Sequence, residues 1–388
     1  MATVRTASAT QSHINMLVYG GHGAGKSTYA LSSAYLKRED GKPFRILYID
    51  NEMGSVDDYL NDLEQNGIDL RNILIVYTTS LVETKEYIRM ATSKEKFLDE
   101  DGNVILDADG QPFIADMIIV DGTSVLHKSA TQARREFSKK RAKVRADKKV
   151  EISPQERVVM IDGADIEIKD YSTIKFDGEA LVLDLTASGL HYIMTAREKE
   201  KMDTKIIKVN GVDKEVSVST GIFEPEGFKG LEYNAKTIAR IWRDDSDGLI
   251  KMKCSKDRTH TYKEGVEVEE PTALDFQNMI EKNKGKKFFA PTNTMKEDIR
   301  REMEKVEREI LGTSMEETED ATVVESSTDN PQELDALKTE YKALYDGLTP
   351  LEKEKLKQLL VENNISGVSH KNSDVAEMKK RLEIIKEV

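Results

Sequence analysis

A glycine-rich stretch near the start of the chain restricts the possible fold more than any other feature. Residues 20–28 read GGHGAGKST and fit the pattern G-x-x-x-x-G-K-[ST]. The apolar run INMLVY at 14–19 precedes this stretch and predicts a buried strand, and a helix is predicted from Ser27. The glycines allow backbone N–H groups to converge on one point, where a helix N-terminus adds partial positive charge. The stretch therefore predicts a phosphate-binding loop between a strand and a helix.

The motif also predicts the role of individual side chains. Lys26 can reach the β and γ phosphates of a nucleotide, and the Ser27 hydroxyl can bind Mg²⁺, so ATP and Mg²⁺ are the predicted cofactors. The alternative is a strand-to-helix turn without a ligand, which is disfavoured because strand, spacing and helix agree. The predicted nucleotide-binding residues are Gly20, Gly21, His22, Gly23, Ala24, Gly25, Lys26, Ser27 and Thr28.

Composition excludes several classes of protein. The chain has 388 residues, enough for one large domain with an appendage or for two domains. Apolar runs are much shorter than the ~20 residues of a membrane span, and the first 13 residues lack an apolar signal core. We therefore expect a cytoplasmic protein without a membrane partner. A single cysteine, Cys254, excludes an internal disulfide, and the net charge of −13 requires any nucleic-acid surface to be local.

Strands and helices alternate through the first 200 residues, and hairpin patterns follow. This order predicts an α/β fold with a mostly parallel central sheet, helices on both faces and an antiparallel extension. Residues 99–112 contain two Asp-Gly pairs and are interpreted as a surface hairpin inserted into the core. We predict a flexible arm at 1–13, the core at 14–280, a charged helix and disordered acidic linker at 281–330, and a small all-helical unit at 331–388.

A second carboxylate is needed beside such a loop, to support Mg²⁺, and hydrolysis also needs a base for water. Asp121 ends the apolar strand MIIV at 117–120, so its carboxylate is predicted beside the phosphates. No glutamate follows Asp121, and the base is therefore sought elsewhere. Glu52 ends the strand after the first helix and is the candidate. The alternatives are an ordinary strand-end aspartate and an exposed loop glutamate.

The order of these motifs resembles the RecA-type ATPase core. After the glycine-rich loop come a strand ending in Asp-x-Glu at 50–52 and a strand ending in Asp-x-x-Ser at 121–124. Residues of about 10–265 resemble phage-encoded RecA-like P-loop NTPases, proteins described as phage nucleotide-binding or AAA-type, which include single-strand-annealing recombinases. The segments HYIMTAREKE at 191–200 and DYSTI at 170–174 also resemble segments of these proteins. The resemblance implies that Glu52 activates water and that Asp121 supports Mg²⁺.

Two further sites are implied by the resemblance. The strand HYIMTAR at 191–197 corresponds to the γ-phosphate sensor, which makes Thr195 and Arg197 the sensor candidates. The K-x-R pair formed by Lys256 and Arg258 corresponds to cations that reach the γ-phosphate of a neighbouring subunit. This pair implies a homo-oligomer whose hydrolysis depends on assembly. Solvated surface charges are the alternative in each case.

The resemblance also places two DNA-facing loops, at about 127–170 and 198–230. The first contains RREFSKKRAKVRADKK at 134–149, with a local charge of +7, and a mixture of turns and strands is predicted near 158–168. A solvated basic helix is the alternative for this segment. The candidate DNA-binding residues are Arg134, Arg135, Lys139, Lys140, Arg141, Lys143 and Arg145.

Together these features predict an ATP-binding and ATP-hydrolysing RecA-like protein that binds single-stranded DNA in phage-type recombination or annealing, with a single-strand-binding protein as a further conceivable partner. One alternative is a hexameric helicase or translocase, although the 13 residues before the first strand are too few for the collar expected of such a motor. The other is a regulatory or loader ATPase that acts on a protein. For the unit at 331–388, a helical protein-interaction module is favoured over a small DNA-binding module.

Overall fold

A mixed β-sheet forms the centre of the larger of two compact units in this computed structural model, and the two units cover residues 1–305 and 306–388. The structure describes residues 12–54, 56–149, 152–209 and 212–286, and parts of the range 337–386. The strands of the sheet are β1 (Asn15–Gly20), β2 (Ile46–Asp50), β3 (Ile73–Tyr77), β4 (Met117–Asp121), β5 (His191–Val209), β6 (Val212–Pro225), β7 (Thr237–Arg243), β8 (Ile250–Asp257) and β9 (Glu267–Glu269).

The order of the strands confirms the predicted α/β fold class, with a mostly parallel sheet and an antiparallel extension. The sheet runs β3-β2-β4-β5-β1-β7-β8-β9, and β6 pairs only with β5. Pairing is parallel from β3 through to β7, whereas β8 and β9 are antiparallel. Because the parallel strands all end at the same edge, the residues that follow β1, β2, β4 and β5 are brought together there.

Helices cover both faces of the sheet, as the alternating pattern predicts. In the larger unit they are α1 (Lys26–Leu31), α2 (Asp57–Gln65), α3 (Leu81–Thr92), α4 (Thr123–Asp147), α5 (Pro154–Asp162), α6 (Ile168–Ala187), α7 (Leu231–Asn234) and α8 (Gln277–Lys282). Alternate residues of β1 enter two different cores: Met16 and Val18 pack with α1, α2 and α8, while Leu17 packs with α3, α4 and α6. Burial on both faces explains why the central strands are uninterrupted apolar runs.

The segment after β4 differs from its prediction. A loop was expected at about 127–170, with turns and strands near 158–168, but α4 runs for 25 residues and α5 and α6 follow it. The apolar VVMI at 158–161 resembles a short strand. A helix forms instead because Ser153 and Glu156 form a capping box and Pro154 occupies the first turn.

The insertion at 99–112 is two consecutive tight turns rather than one hairpin. Each turn is closed by a single β-bridge, between Leu98 and Val104 and between Leu106 and Pro112. An aspartate at the start of each turn accepts backbone N–H groups from within the turn, as Asp99 does from Asn103 at 2.7 Å. These side-chain contacts supply the hydrogen bonds that a longer strand pairing would have made.

Strand β5 extends beyond the sheet as one arm of a long two-stranded ribbon. Its partner β6 pairs with it from Glu198 opposite Pro225 to Val209 opposite Val212, which agrees with the hairpin patterns predicted after the first 200 residues. Residues 210 and 211 themselves lie outside the described part of the chain. The ribbon therefore begins directly after the sensor candidates Thr195 and Arg197.

The smaller unit has its own apolar core. Helix α9 (Val375–Ile385) contributes Met378 and Leu382, which are buried together with Tyr341, Leu356 and Leu360. These described residues fit the predicted helical unit. Residues 1–11 of the arm, the predicted charged helix and the acidic linker lie outside the described residues. Within the described part of the chain, every helix is too short or too polar to span a bilayer.

Candidate nucleotide site

The glycine-rich loop connects β1 to α1 and has the backbone conformation that its sequence predicts. Gly25, the residue before α1, has φ +87°, a conformation that side chains of L-residues disfavour. A Cβ atom on Gly20 would lie 2.1 Å from the carbonyl oxygen of Ile241 on β7. Glycine is therefore required at both ends of the loop, once by conformation and once by close backbone contact.

Lys26 bends back over this loop. Its Nζ donates hydrogen bonds to the carbonyl oxygens of Gly20, at 3.1 Å, and Gly21, at 2.7 Å. Burial lowers the pKa of the Lys26 ammonium, while the charges of Glu52 and Asp121 oppose that shift. These contacts place the ammonium at the loop, where the motif predicts β and γ phosphates to bind.

The predicted Mg²⁺ residues Ser27 and Asp121 are in direct contact. The Ser27 hydroxyl donates to Asp121 Oδ2 at 2.7 Å, although the two residues are 94 positions apart in the chain. Two further hydroxyls converge on the same carboxylate: Tyr48 donates to Oδ2 at 2.6 Å, and Thr195 donates to Oδ1. The carboxylate is almost completely buried. Hydroxyl and carboxylate oxygens are hard ligands of the type that Mg²⁺ prefers, so the donor set fits this ion.

Tyr48 was not among the residues singled out from the sequence. It lies in the middle of β2, in the apolar run ILYID, and an aromatic residue in such a run is most simply interpreted as core. Nothing in the local pattern indicates that its hydroxyl reaches Asp121 on β4. Only the parallel pairing of β2 with β4, which places Asp50 opposite Asp121, brings the two side chains together.

Glu52, the candidate base, is held by two other residues. Its Oε1 accepts a hydrogen bond from Nε of Arg197 at 3.0 Å, and a terminal guanidinium nitrogen of the same arginine forms an ion pair with it at 3.0 Å. The backbone that carries Glu52 is set by Asp50, whose buried carboxylate accepts the N–H groups of Glu52, Met53 and Gly54 at 2.8–3.0 Å. The predicted base and the predicted sensor arginine therefore form one ion pair.

A cavity of about 370 Å³ lies where these groups meet. The glycine-rich loop forms its floor, and Glu52 and Tyr59 lie on its walls together with Arg243 and Ile250. Its size and its mixture of backbone N–H groups, one lysine, one arginine, three hydroxyls and one carboxylate suit a polyanionic ligand. Sequence reasoning missed Tyr59 and Arg243, which lie outside any recognised motif.

The sensor candidates also connect the cavity to the ribbon. The backbone N–H of Arg197 donates to the Ser124 hydroxyl at 2.9 Å, and that hydroxyl donates to the carbonyl of Glu226 at 2.6 Å. Thr195 accepts a hydrogen bond at its carbonyl from Thr123, at 2.7 Å. The start of α4 and the base of the ribbon are thus linked to the strand that bears both sensor candidates.

Lys256 and Arg258 lie away from this cavity. Strand β8 runs antiparallel to β7, so Lys256 pairs with Ile238 near the start of β7, at the edge opposite the glycine-rich loop. The Lys256 ammonium donates to the carbonyls of Glu232 and Tyr233 at 3.1 Å, and burial lowers its pKa. Neither cation belongs to the cavity of its own protomer. Their role at a neighbouring site stays a prediction.

Residues 134–147 of the basic segment belong to helix α4, and most of its candidate DNA-binding residues have carboxylate partners. The local charge of +7 does not include the acids of α6 and of the segment before it, which pair with α4. Lys140 and Lys143 are exposed and have no carboxylate partner among the described residues. The ion pairs are Arg134 with Asp177, Arg135 with Asp165, Arg141 with Asp170 and Glu167, Arg145 with Glu167, and Lys139 with Glu136 of the same helix.

Because Asp170 is buried beside Arg141, we expect Arg141 to contribute to stability. Replacing Arg141 by alanine leaves that carboxylate without its main partner and should lower the melting temperature. Lys140→Ala, one residue earlier, is the matched control and should melt like the wild type. Thermal unfolding followed by circular dichroism measures both. Equal melting temperatures for the two variants would contradict a structural role for Arg141.

The solved structures that resemble the chain include the following two. One is a RadB recombinase, with 14% sequence identity over 66% of this chain and 88% of the other, and a TM-score of 0.36. The second is a KaiC-like protein from the hyperthermophilic archaeon Pyrococcus horikoshii OT3, with 11% identity, 67% and 86% coverage, and a TM-score of 0.34. No protein-family model and no curated protein matches the chain. At such identities and scores neither resemblance indicates what this chain binds or does.

Proposed function

We propose that this chain binds ATP with Mg²⁺ and hydrolyses it. The observation that carries the proposal is the convergence of three predicted groups on one cavity: the glycine-rich loop with Lys26, the Ser27–Asp121 contact, and Glu52. A phosphate-binding loop alone would suit many ligands. An acidic group at hydrogen-bonding reach of the metal-binding hydroxyl, and a second one on the cavity wall, are what hydrolysis of a nucleoside triphosphate requires.

In this proposal Lys26 and the loop N–H groups bind the phosphates, and Ser27 with Asp121 holds the metal site. Bound Mg²⁺ would neutralise charge on the β and γ phosphates. Glu52 would orient and deprotonate the attacking water. Its carboxylate is paired with Arg197, so this arginine must turn toward the γ-phosphate, as expected of a sensor, before Glu52 can accept a proton.

The first prediction separates binding from hydrolysis. Glu52→Gln keeps the size of the side chain but removes its ability to accept a proton, so ATP affinity should be unchanged while turnover falls by about 100-fold or more. Fluorescence titration with a labelled nucleotide and a phosphate-release assay measure the two quantities. Asp58→Asn, an exposed change on α2, is the control. Full turnover in Glu52→Gln would remove Glu52 from this role.

We further propose single-stranded DNA as a partner, in recombination or annealing of the type found in phages. Support comes from Lys140 and Lys143, which remain exposed on α4, and from Phe137, which is 50% exposed on the same helix and could stack on a base. The recombination context and the phage origin follow from the sequence resemblance. The alternative that uses the same hydrolysis of ATP is a motor, either a hexameric helicase or a translocase.

A protein partner is the second candidate, and specific observations favour it. Most of the positive charge on α4 is paired with carboxylates, which reduces its value for phosphate binding. The ribbon at 198–225, which corresponds to the second DNA-facing loop, has five basic and six acidic residues. A regulatory or loader ATPase that acts on a protein would present such mixed charges.

The second prediction distinguishes these partners. Lys140→Glu combined with Lys143→Glu should weaken binding of a labelled DNA single strand by about tenfold or more, and should flatten the dependence of affinity on salt, because two phosphate contacts are lost. Fluorescence anisotropy across a salt series measures both effects. Lys94→Glu with Lys96→Glu has the same change of charge outside α4 and should bind normally. Unchanged DNA affinity in the α4 variant would favour the protein partner.

The third prediction concerns assembly. If Lys256 and Arg258 complete the site of a neighbouring protomer, the double change to alanine should lower the ATPase rate by about tenfold or more while ATP affinity is retained. The ATPase rate per protomer of the wild type should also rise with protein concentration. Mixing this variant with Glu52→Gln should restore activity at mixed interfaces, because each variant keeps the half-site that the other lacks. An unchanged rate in the double variant would contradict an interface role.

A further inference from the structure

We infer that Tyr48 is a positioning residue of the Mg²⁺ site, where its hydroxyl holds the Asp121 carboxylate in place. The inference rests on the proposed function, since it concerns the same metal site. It assigns a role in that site to a residue that otherwise belongs to the hydrophobic core. The role is exerted through Asp121, because Tyr48 contacts that carboxylate and is not itself on the cavity wall.

The position of Tyr48 leaves its hydroxyl directed at the site. The residue is fully buried, with its side chain in the same cluster as Val18, Ala30 and Ile119. A buried phenol requires a hydrogen-bond partner, because burying an unsatisfied hydroxyl is unfavourable. That partner is Asp121 Oδ2 at 2.6 Å, in a contact that joins β2 to β4. Packing in the core therefore holds the Tyr48 ring in place, and the hydroxyl on that ring holds one oxygen of the Asp121 carboxylate.

The arrangement of donors around Asp121 indicates how the carboxylate acts. A carboxylate oxygen has two lone pairs, and Oδ2 accepts from both Tyr48 and Ser27. Thr195 donates to Oδ1, so the carboxylate cannot rotate without losing hydrogen bonds. With both lone pairs of Oδ2 in use, this oxygen is suited to orient the Ser27 hydroxyl rather than to bind the ion directly. Removing the Tyr48 hydroxyl releases one lone pair and loosens the carboxylate.

Tyr192 is a matched control for this role. It is equally buried, lies on β5, which is next to β4 in the sheet, and its hydroxyl is hydrogen-bonded to Thr186 at 3.2 Å, away from the site. Tyr48→Phe and Tyr192→Phe therefore each remove one buried hydroxyl and keep the ring. Only the first change reaches the Asp121 carboxylate. A role confined to core packing would give both variants the same behaviour in metal binding.

The test measures binding of a fluorescent, non-hydrolysable ATP analogue by the full chain during a Mg²⁺ titration. In Tyr48→Phe the half-saturating Mg²⁺ concentration should shift by about tenfold, the size expected for one hydrogen bond to a charged group. Binding of the analogue in EDTA should be unchanged. Tyr192→Phe should match the wild type throughout. Thermal unfolding of each variant shows whether a change in binding comes instead from a loss of folded protein.

A double-variant comparison separates positioning from a general loss of structure. If Tyr48 acts through Asp121, then adding Tyr48→Phe to Asp121→Asn should cause no further shift in the Mg²⁺ titration. A Mg²⁺ titration of Tyr48→Phe that superimposes on that of the wild type would overturn the inference. So would an equal shift in half-saturating Mg²⁺ when Tyr48→Phe is added to the wild type and to Asp121→Asn. If the wild type bound no analogue with or without Mg²⁺, the proposed function itself would fail and the inference with it.

Discussion

The hydrogen bonds of the Asp121 carboxylate join the elements on which the rest of the site depends. This single buried group accepts hydrogen bonds from the hydroxyls of Ser27 on α1, Tyr48 on β2 and Thr195 on β5. Each donor comes from a different part of the chain: the parallel pairing of β2 and β5 with β4 places Tyr48 and Thr195, and the glycine-rich loop before α1 places Ser27. A buried carboxylate is unfavourable unless it is hydrogen-bonded, so the same contacts that shape the proposed metal site also make the burial of Asp121 tolerable.

Charge in this protein is balanced locally by tertiary contacts, both at the site and on α4. Glu52 is paired with Arg197 beside the cavity, and its backbone is held by the buried Asp50. On α4 the arginines face carboxylates of α6 and of the segment before it, so a segment that is strongly basic in the sequence is largely neutralised in the fold. Partners of this helix must therefore be inferred from the charges that remain exposed.

Much of the site could be predicted because its signals are local. The glycine-rich loop, its flanking strand and the apolar strand that ends at Asp121 are each contiguous, and parallel strands place their ends at one edge. Tyr48 could not be predicted, because a tyrosine in an apolar strand is indistinguishable from core until its neighbour on β4 is known. The helix at 154–162 was missed because the apolar run at 158–161 has the pattern of a short strand.

The sequence by itself determined the glycine-rich loop between a strand and a helix and the α/β class of fold, since these depend on glycine conformation and on the periodicity of apolar residues over short stretches. Only the tertiary structure decided which hydroxyls surround Asp121, that Arg197 binds Glu52, and that the basic residues of α4 are paired. The physical reason is that hydrogen bonds and ion pairs join residues 29 to 145 positions apart, whose side chains meet only after strands and helices have packed. The candidate residues that the sequence identifies therefore meet their partners only in the folded structure.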